Sequence, residues 1–103
     1  RMPDFIDLVQ DRMEKANINV RGLEELVRRQ FGDEARVSRS LISLYLRRKA
    51  VPTYEAGHQI AVVLDLDNKS VLESLFRYRK TTIIETETAR FEQFKEGGGR
   101  IDV

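Results

Sequence analysis

Cysteine is absent from this sequence of 103 residues, and histidine occurs once, as His58. Disulfide scaffolds and thiolate metal sites are therefore excluded, as are hydrolytic zinc sites built on several imidazoles and triads built on a Cys–His pair. Long apolar runs are missing too. The longest is Ile60 to Leu64, where a membrane span needs roughly twenty residues. With 6 Gly and 2 Pro the chain is neither collagen-like nor of low complexity. Residues Arg1-Met2-Pro3-Asp4-Phe5 lack the apolar core of a secretory signal. The lack of cysteine fits a reducing compartment, so a cytoplasmic location is expected. A net charge of +1 gives no global bias toward any partner, which leaves the placement of the charges to carry information.

What is present is helical spacing. The hydrophobic content is 41% and the charged content 34%, enough for one domain with a short appendage. Phe5, Leu8, Val9, Met13 and Ala16 fall on one face of a first helix, with Pro3, Asp4 and Asp7 at its positive end. Asn19 caps a second helix with Leu23, Leu26, Val27 and Phe31 inward, and Gly32-Asp33 stops it. Ser38 caps a third with Leu41, Ile42, Tyr45 and Leu46, ended by Lys49-Ala50-Val51-Pro52. Thr53 caps a fourth with Tyr54, Ile60, Ala61 and Leu64 inward. Val71, Leu72, Leu75 and Phe76 form the stripe of a fifth, over Asn68 to Lys80. The spacing thus predicts an all-α, five-helix domain over residues 1–80. Residues 81–103 form a C-terminal extension, where the β-branched Thr81 to Thr88 reads as a strand or leads into a short helix.

Catalytic signals are lacking. There is no nucleophile elbow and no phosphate-binding glycine loop, and Gly97-Gly98-Gly99 has neither a strand before it nor a helix after it. Pairs such as Glu24-Glu25 and Asp33-Glu34 read as solvated faces in so charged a chain. No enzyme, metal or cofactor is expected. The positive charges are more telling. From Arg36 to Tyr54 there is no Asp or Glu, while Arg36, Arg39, Arg47, Arg48 and Lys49 are all basic. Such a cluster on one short helix is a footprint for phosphates. Cations meeting the negative end of a helix dipole are the alternative explanation.

The segment Val37-Ser38-Arg39-Ser40-Leu41-Ile42-Ser43-Leu44-Tyr45-Leu46, followed by Arg47-Arg48-Lys49-Ala50-Val51-Pro52, resembles the recognition-helix signature of the Cro/CI (XRE) helix-turn-helix family. The run from Pro52-Thr53-Tyr54-Glu55 to Ile60-Ala61-Val62-Val63-Leu64 is similar to that family's fourth helix. The resemblance implies a lambda-repressor-like five-helix domain that reads double-stranded DNA and regulates transcription as a homodimer, located with the nucleoid when bound. Arg39, Ser40 and Leu44 would face the major groove with Ser43 on the border, a placement that the polar face of the helix also gives. Leu44 would meet a thymine methyl or, alternatively, a protein. Arg21, Arg36, Ser38, Arg47, Arg48 and Lys49 would lie along phosphates.

Three departures from the family pattern carry expectations. Leu46 and Arg48 replace its Glu and Gly, which implies an altered turn after the third helix. The Phe31–Arg36 connection is roughly five residues longer than the family's short turn, which implies a shifted third helix. Gly57 and His58 stand at apolar positions, implying looser packing or contact with the extension.

The extension is too apolar for a solvated linker. Ile83, Ile84, Phe91 and Phe94 are read as a dimerisation segment, the alternative being that it folds back on the core near Gly57. A second function stands beside DNA reading: a protein-interaction module of the same fold, antitoxin-like or binding a polymerase or regulator, with a protein partner held through the extension.

Overall fold

A computed structural model describes residues 3–96, the side chains at positions 86 and 90–96 excepted. Each helix begins where a short polar side chain accepts hydrogen bonds from the free N–H groups of the first turn. Asp4 accepts from the Asp7 N–H at 2.9 Å and Asp7 from the Asp4 N–H at 3.0 Å, a reciprocal cap that opens α1 (Phe5–Lys15). Asn19 opens α2 (Val20–Phe31), Ser38 opens α3 (Arg39–Leu46) and Thr53 opens α4 (Tyr54–Val63). The Asn68 side chain accepts from the Val71 N–H ahead of α5 (Lys69–Glu96). A 3₁₀ turn, Gly32–Glu34, follows α2. These five α-helices account for the architecture, and no strand occurs among the described residues. None of the described helices is long and apolar enough to cross a membrane.

Helix ends follow one recipe. After α1, α3 and α4 the chain passes through a left-handed residue, respectively Asn17 (φ 55°), Arg48 (φ 60°) and Asp65 (φ 58°). The next N–H then bonds back five residues: Ile18 to Met13, Lys49 to Leu44, Leu66 to Ala61. These are Schellman turns, which satisfy carbonyls that the helix leaves open. The altered turn expected after α3 is therefore absent at the backbone level, because Arg48 adopts the conformation that glycine favours.

α2 packs against α3 and α4, and α5 lies across α1 and α4. The shared core holds Phe5, Ile6 and Val9 from α1, Leu23 and Val27 from α2, Ile42 from α3, Ile60 and Ala61 from α4, and Leu75 from α5. Each large side chain buried this way contributes about 1.5–3 kcal/mol. The long connection between α2 and α3 is tied down. Buried Gln59 of α4 accepts from the Arg36 N–H and donates to the Glu34 carbonyl, both at 2.7 Å.

Several expectations require correction. Leu41, Tyr54 and Phe76, read as inward, are 36%, 47% and 55% exposed. Their helices turn other residues to the core, and Tyr54 instead stacks on Phe76 with ring centroids 5.7 Å apart. The fifth helix does not stop at Lys80 and no strand follows it, since α5 runs unbroken to Glu96. Thr and Ile cost only tenths of a kcal/mol more than Ala within a helix. No Gly or Pro interrupts residues 69–96, so nothing there terminates it. Ile83 and Ile84 are exposed and do not fold back on the core.

Gly57 is tightly packed rather than loose. A Cβ there would lie 2.5 Å from a methyl of Leu75, itself 2% exposed. Gly57→Ala is accordingly expected to lower stability by about 1–3 kcal/mol, although alanine is the better helix former. Urea denaturation of the two proteins measures this directly.

Candidate nucleic-acid interface

The third helix divides its residues between two faces. Ile42 and Tyr45 are buried against the core, and burial pushes the Tyr45 phenol above its ordinary pKa despite the opposing pull of Arg79. The outer face carries Arg39, Ser40, Ser43, Leu44 and Arg47, which together with Val20 of α2 line one shallow cleft. No carboxylate lines it. Ser40, Arg39 and Arg47 are exposed, while Ser43 and Leu44 are half-buried. The Arg47 Nε donates to the Ser43 carbonyl at 3.4 Å, laying this side chain back along the helix.

Sequence reasoning missed the residue that fixes this face. Glu24 of α2 was read as solvated but is only 6% exposed, and its carboxylate accepts from the Arg39 N–H at 2.8 Å. The same carboxylate lies 3.4 Å from Arg39 Nε and 3.6 Å from the Arg28 guanidinium. A negative charge at the N-terminus of α3 also complements the helix dipole. The signal was present: Val20, Leu23, Glu24 and Val27 share one helical stripe, so position 24 falls on the inward face.

The remaining basic residues separate into two groups. The side chains of Arg21 at the start of α2 and Lys49 after α3 are exposed and enter no hydrogen bond or ion pair among the described residues. Ser38 spends its oxygen on the Leu41 N–H at 3.2 Å. Arg36 pairs with Glu55 at 3.0 Å and with Glu34 at 3.8 Å, away from the cleft. Arg48 turns toward α1, where it contacts Asp4 at 2.7 Å and Asp7 at 3.0 Å and lies over the Tyr78 ring. Its hydrogen bond to Asp4 raises an already high pKa. In this structure the guanidinium groups of Arg36 and Arg48 are thus engaged in ion pairs with carboxylates of the chain itself. Phe91 and Phe94 fall within α5, with side chains outside the described residues.

No group of three or more acidic or imidazole side chains that could hold a metal ion occurs among the described residues. Comparison with protein families, with curated proteins and with solved structures finds no match.

Removing Glu24 tests the linkage between α2 and α3. Glu24→Ala leaves the Arg39 N–H without its acceptor and is expected to cost about 1–3 kcal/mol, with Glu24→Gln milder because an oxygen remains. Thermal and chemical denaturation of the three proteins, compared side by side, provides the measurement.

Proposed function

We propose that the chain is a sequence-specific DNA-binding transcriptional regulator of the Cro/CI type, a lambda-repressor-like helix-turn-helix domain acting as a homodimer on double-stranded DNA. The observation that carries this reading is the cleft on α3, where two arginines, two serines and a leucine meet without a carboxylate. An α-helix with its side chains is about 10–12 Å across, which the roughly 12 Å width of the major groove admits. Arg39 presents a fork suited to guanine, with its base fixed by Glu24, while the serines offer hydroxyls to base edges. Arg47 lines the cleft, and Lys49 after α3 and Arg21 at the start of α2 are exposed cations that would take phosphates. The competing reading, a protein-interaction module, draws on the exposed Tyr54–Phe76 pair. A mobility shift with scrambled competitor DNA distinguishes the two.

Selection from a random DNA pool supplies the operator, after which three variants apportion the work. Arg39→Ala is expected to cost about 1–3 kcal/mol on the selected site and to relax preference at one base pair. Lys49→Ala should weaken all sequences alike and reduce the slope of log K against log salt by about one unit. Arg48→Ala should lower folding stability and leave that slope unchanged, because its guanidinium is held by Asp4 and Asp7. An Arg39→Ala protein with unaltered affinity and base preference overturns the reading.

A further inference from the structure

Beyond Thr82, α5 carries side chains that are exposed wherever they are described. At 100° per residue, Phe76, Lys80, Ile83, Ile84 and Glu87 occupy about 100° of its circumference, opposite the core-facing Val71, Ser74, Leu75 and Tyr78. Ile83 and Ile84 are 42% and 53% exposed, and Phe76 extends the stripe to Tyr54 of α4. The order of residues along this stripe is self-complementary. We propose that α5 pairs with α5 of a second copy of this chain, antiparallel, about a twofold axis passing between Ile83 and Ile84.

Positions equidistant from that axis lie level with one another. Ile83 meets Ile84 of the second copy, Lys80 meets its Glu87, and Phe76 meets the backbone position of its Phe91. An apolar centre is thereby flanked on both sides by a Lys–Glu pair, and an aromatic position closes each end. Parallel pairing would set Lys80 against Lys80 and Glu87 against Glu87, so charge selects the antiparallel arrangement. The twofold makes the contact isologous, which closes the assembly at two copies.

This proposal rests on the dimeric part of the function proposed above and gives it a geometry. Its test contains no DNA, so its outcome is separate from that of base reading by α3. The chain has no cysteine, and introduced thiols therefore report the axis directly. In the antiparallel pair the two copies of position 83 are offset by about 1.5 Å along the helices, whereas the two copies of position 80 are about 10 Å apart. Ile83→Cys is expected to form a cross-linked dimer on mild oxidation, and Lys80→Cys is expected not to. Ile84→Cys serves as a second reporter should Ile83→Cys lose helix content by circular dichroism. Sedimentation then tests the charges: Lys80→Glu or Glu87→Lys alone should weaken the dimer about tenfold, and the two together should restore it. A full chain that sediments as a monomer at every concentration reached overturns the proposal. So does Lys80→Cys cross-linking as readily as Ile83→Cys, or a double reversal no tighter than the single ones.

Discussion

The Glu24 carboxylate sits almost wholly out of water at the junction of α2 and α3, with the first N–H of α3 bound to one of its oxygens. Burying such a charge is costly unless it is paired and hydrogen-bonded. Here Arg39, Arg28 and the end of a helix dipole together supply the compensation. Because the acceptor belongs to α2 and the donor to α3, this contact ties the start of α3 to α2 beside the packing of Leu23 and Val27 with Ile42 in the core. The cleft spans this junction, since Val20 stands on α2 while Arg39 to Arg47 stand on α3. The long α2–α3 connection is held at its middle, where Gln59 binds Arg36 and Glu34, and at its far end, where Glu24 binds the Arg39 N–H.

Neighbouring arginines in the basic run do opposite work. Arg47 stays on the outer face of α3, while Arg48 takes the left-handed turn and reaches across to the capping carboxylates of α1. A left-handed conformation costs a non-glycine residue of order 1 kcal/mol, and a bidentate contact with Asp4 offsets it. Charge counting along the sequence overstates the cationic surface offered to a ligand for this reason.

Helix starts were legible because a cap is a local event: Asn19, Ser38, Thr53 and Asn68 each bond within three residues of themselves. Spacing alone gives Phe5, Val9 and Met13 of α1 and Leu23 and Val27 of α2 as core, but it passes over the buried Ile6 and counts Ala16, which is exposed. What escaped was of two kinds. The length of α5 was underestimated because β-branched residues were treated as a stop, although propensity differences of tenths of a kcal/mol terminate nothing without Gly or Pro. The partners of Glu24 and Arg48 escaped because they are tertiary, Arg48 and Asp4 being 44 positions apart. At the candidate site, the outer face of α3 was readable from periodicity, whereas the diversion of Arg36 and Arg48 into structural pairs was not. Helical spacing sets Tyr54 and Phe76 inward, whereas the packing of α4 on α5 stacks them on each other at the surface.

The first helix is held at both ends by arginines, one arriving and one departing. Arg48 grips the carboxylates at its start, and its own Arg12 donates to the Leu64 carbonyl at 2.6 Å, at the end of α4. The two grips differ in kind. One joins full charges that are partly open to solvent, and dissolved ions screen it; the other joins a cation to a half-buried carbonyl, which they screen far less. Raising ionic strength therefore loosens α1 from its N-terminal side only. Amide exchange would then accelerate across the turn after Phe5 while the amides near Ala16 kept their pace, giving a single helix two different responses to salt.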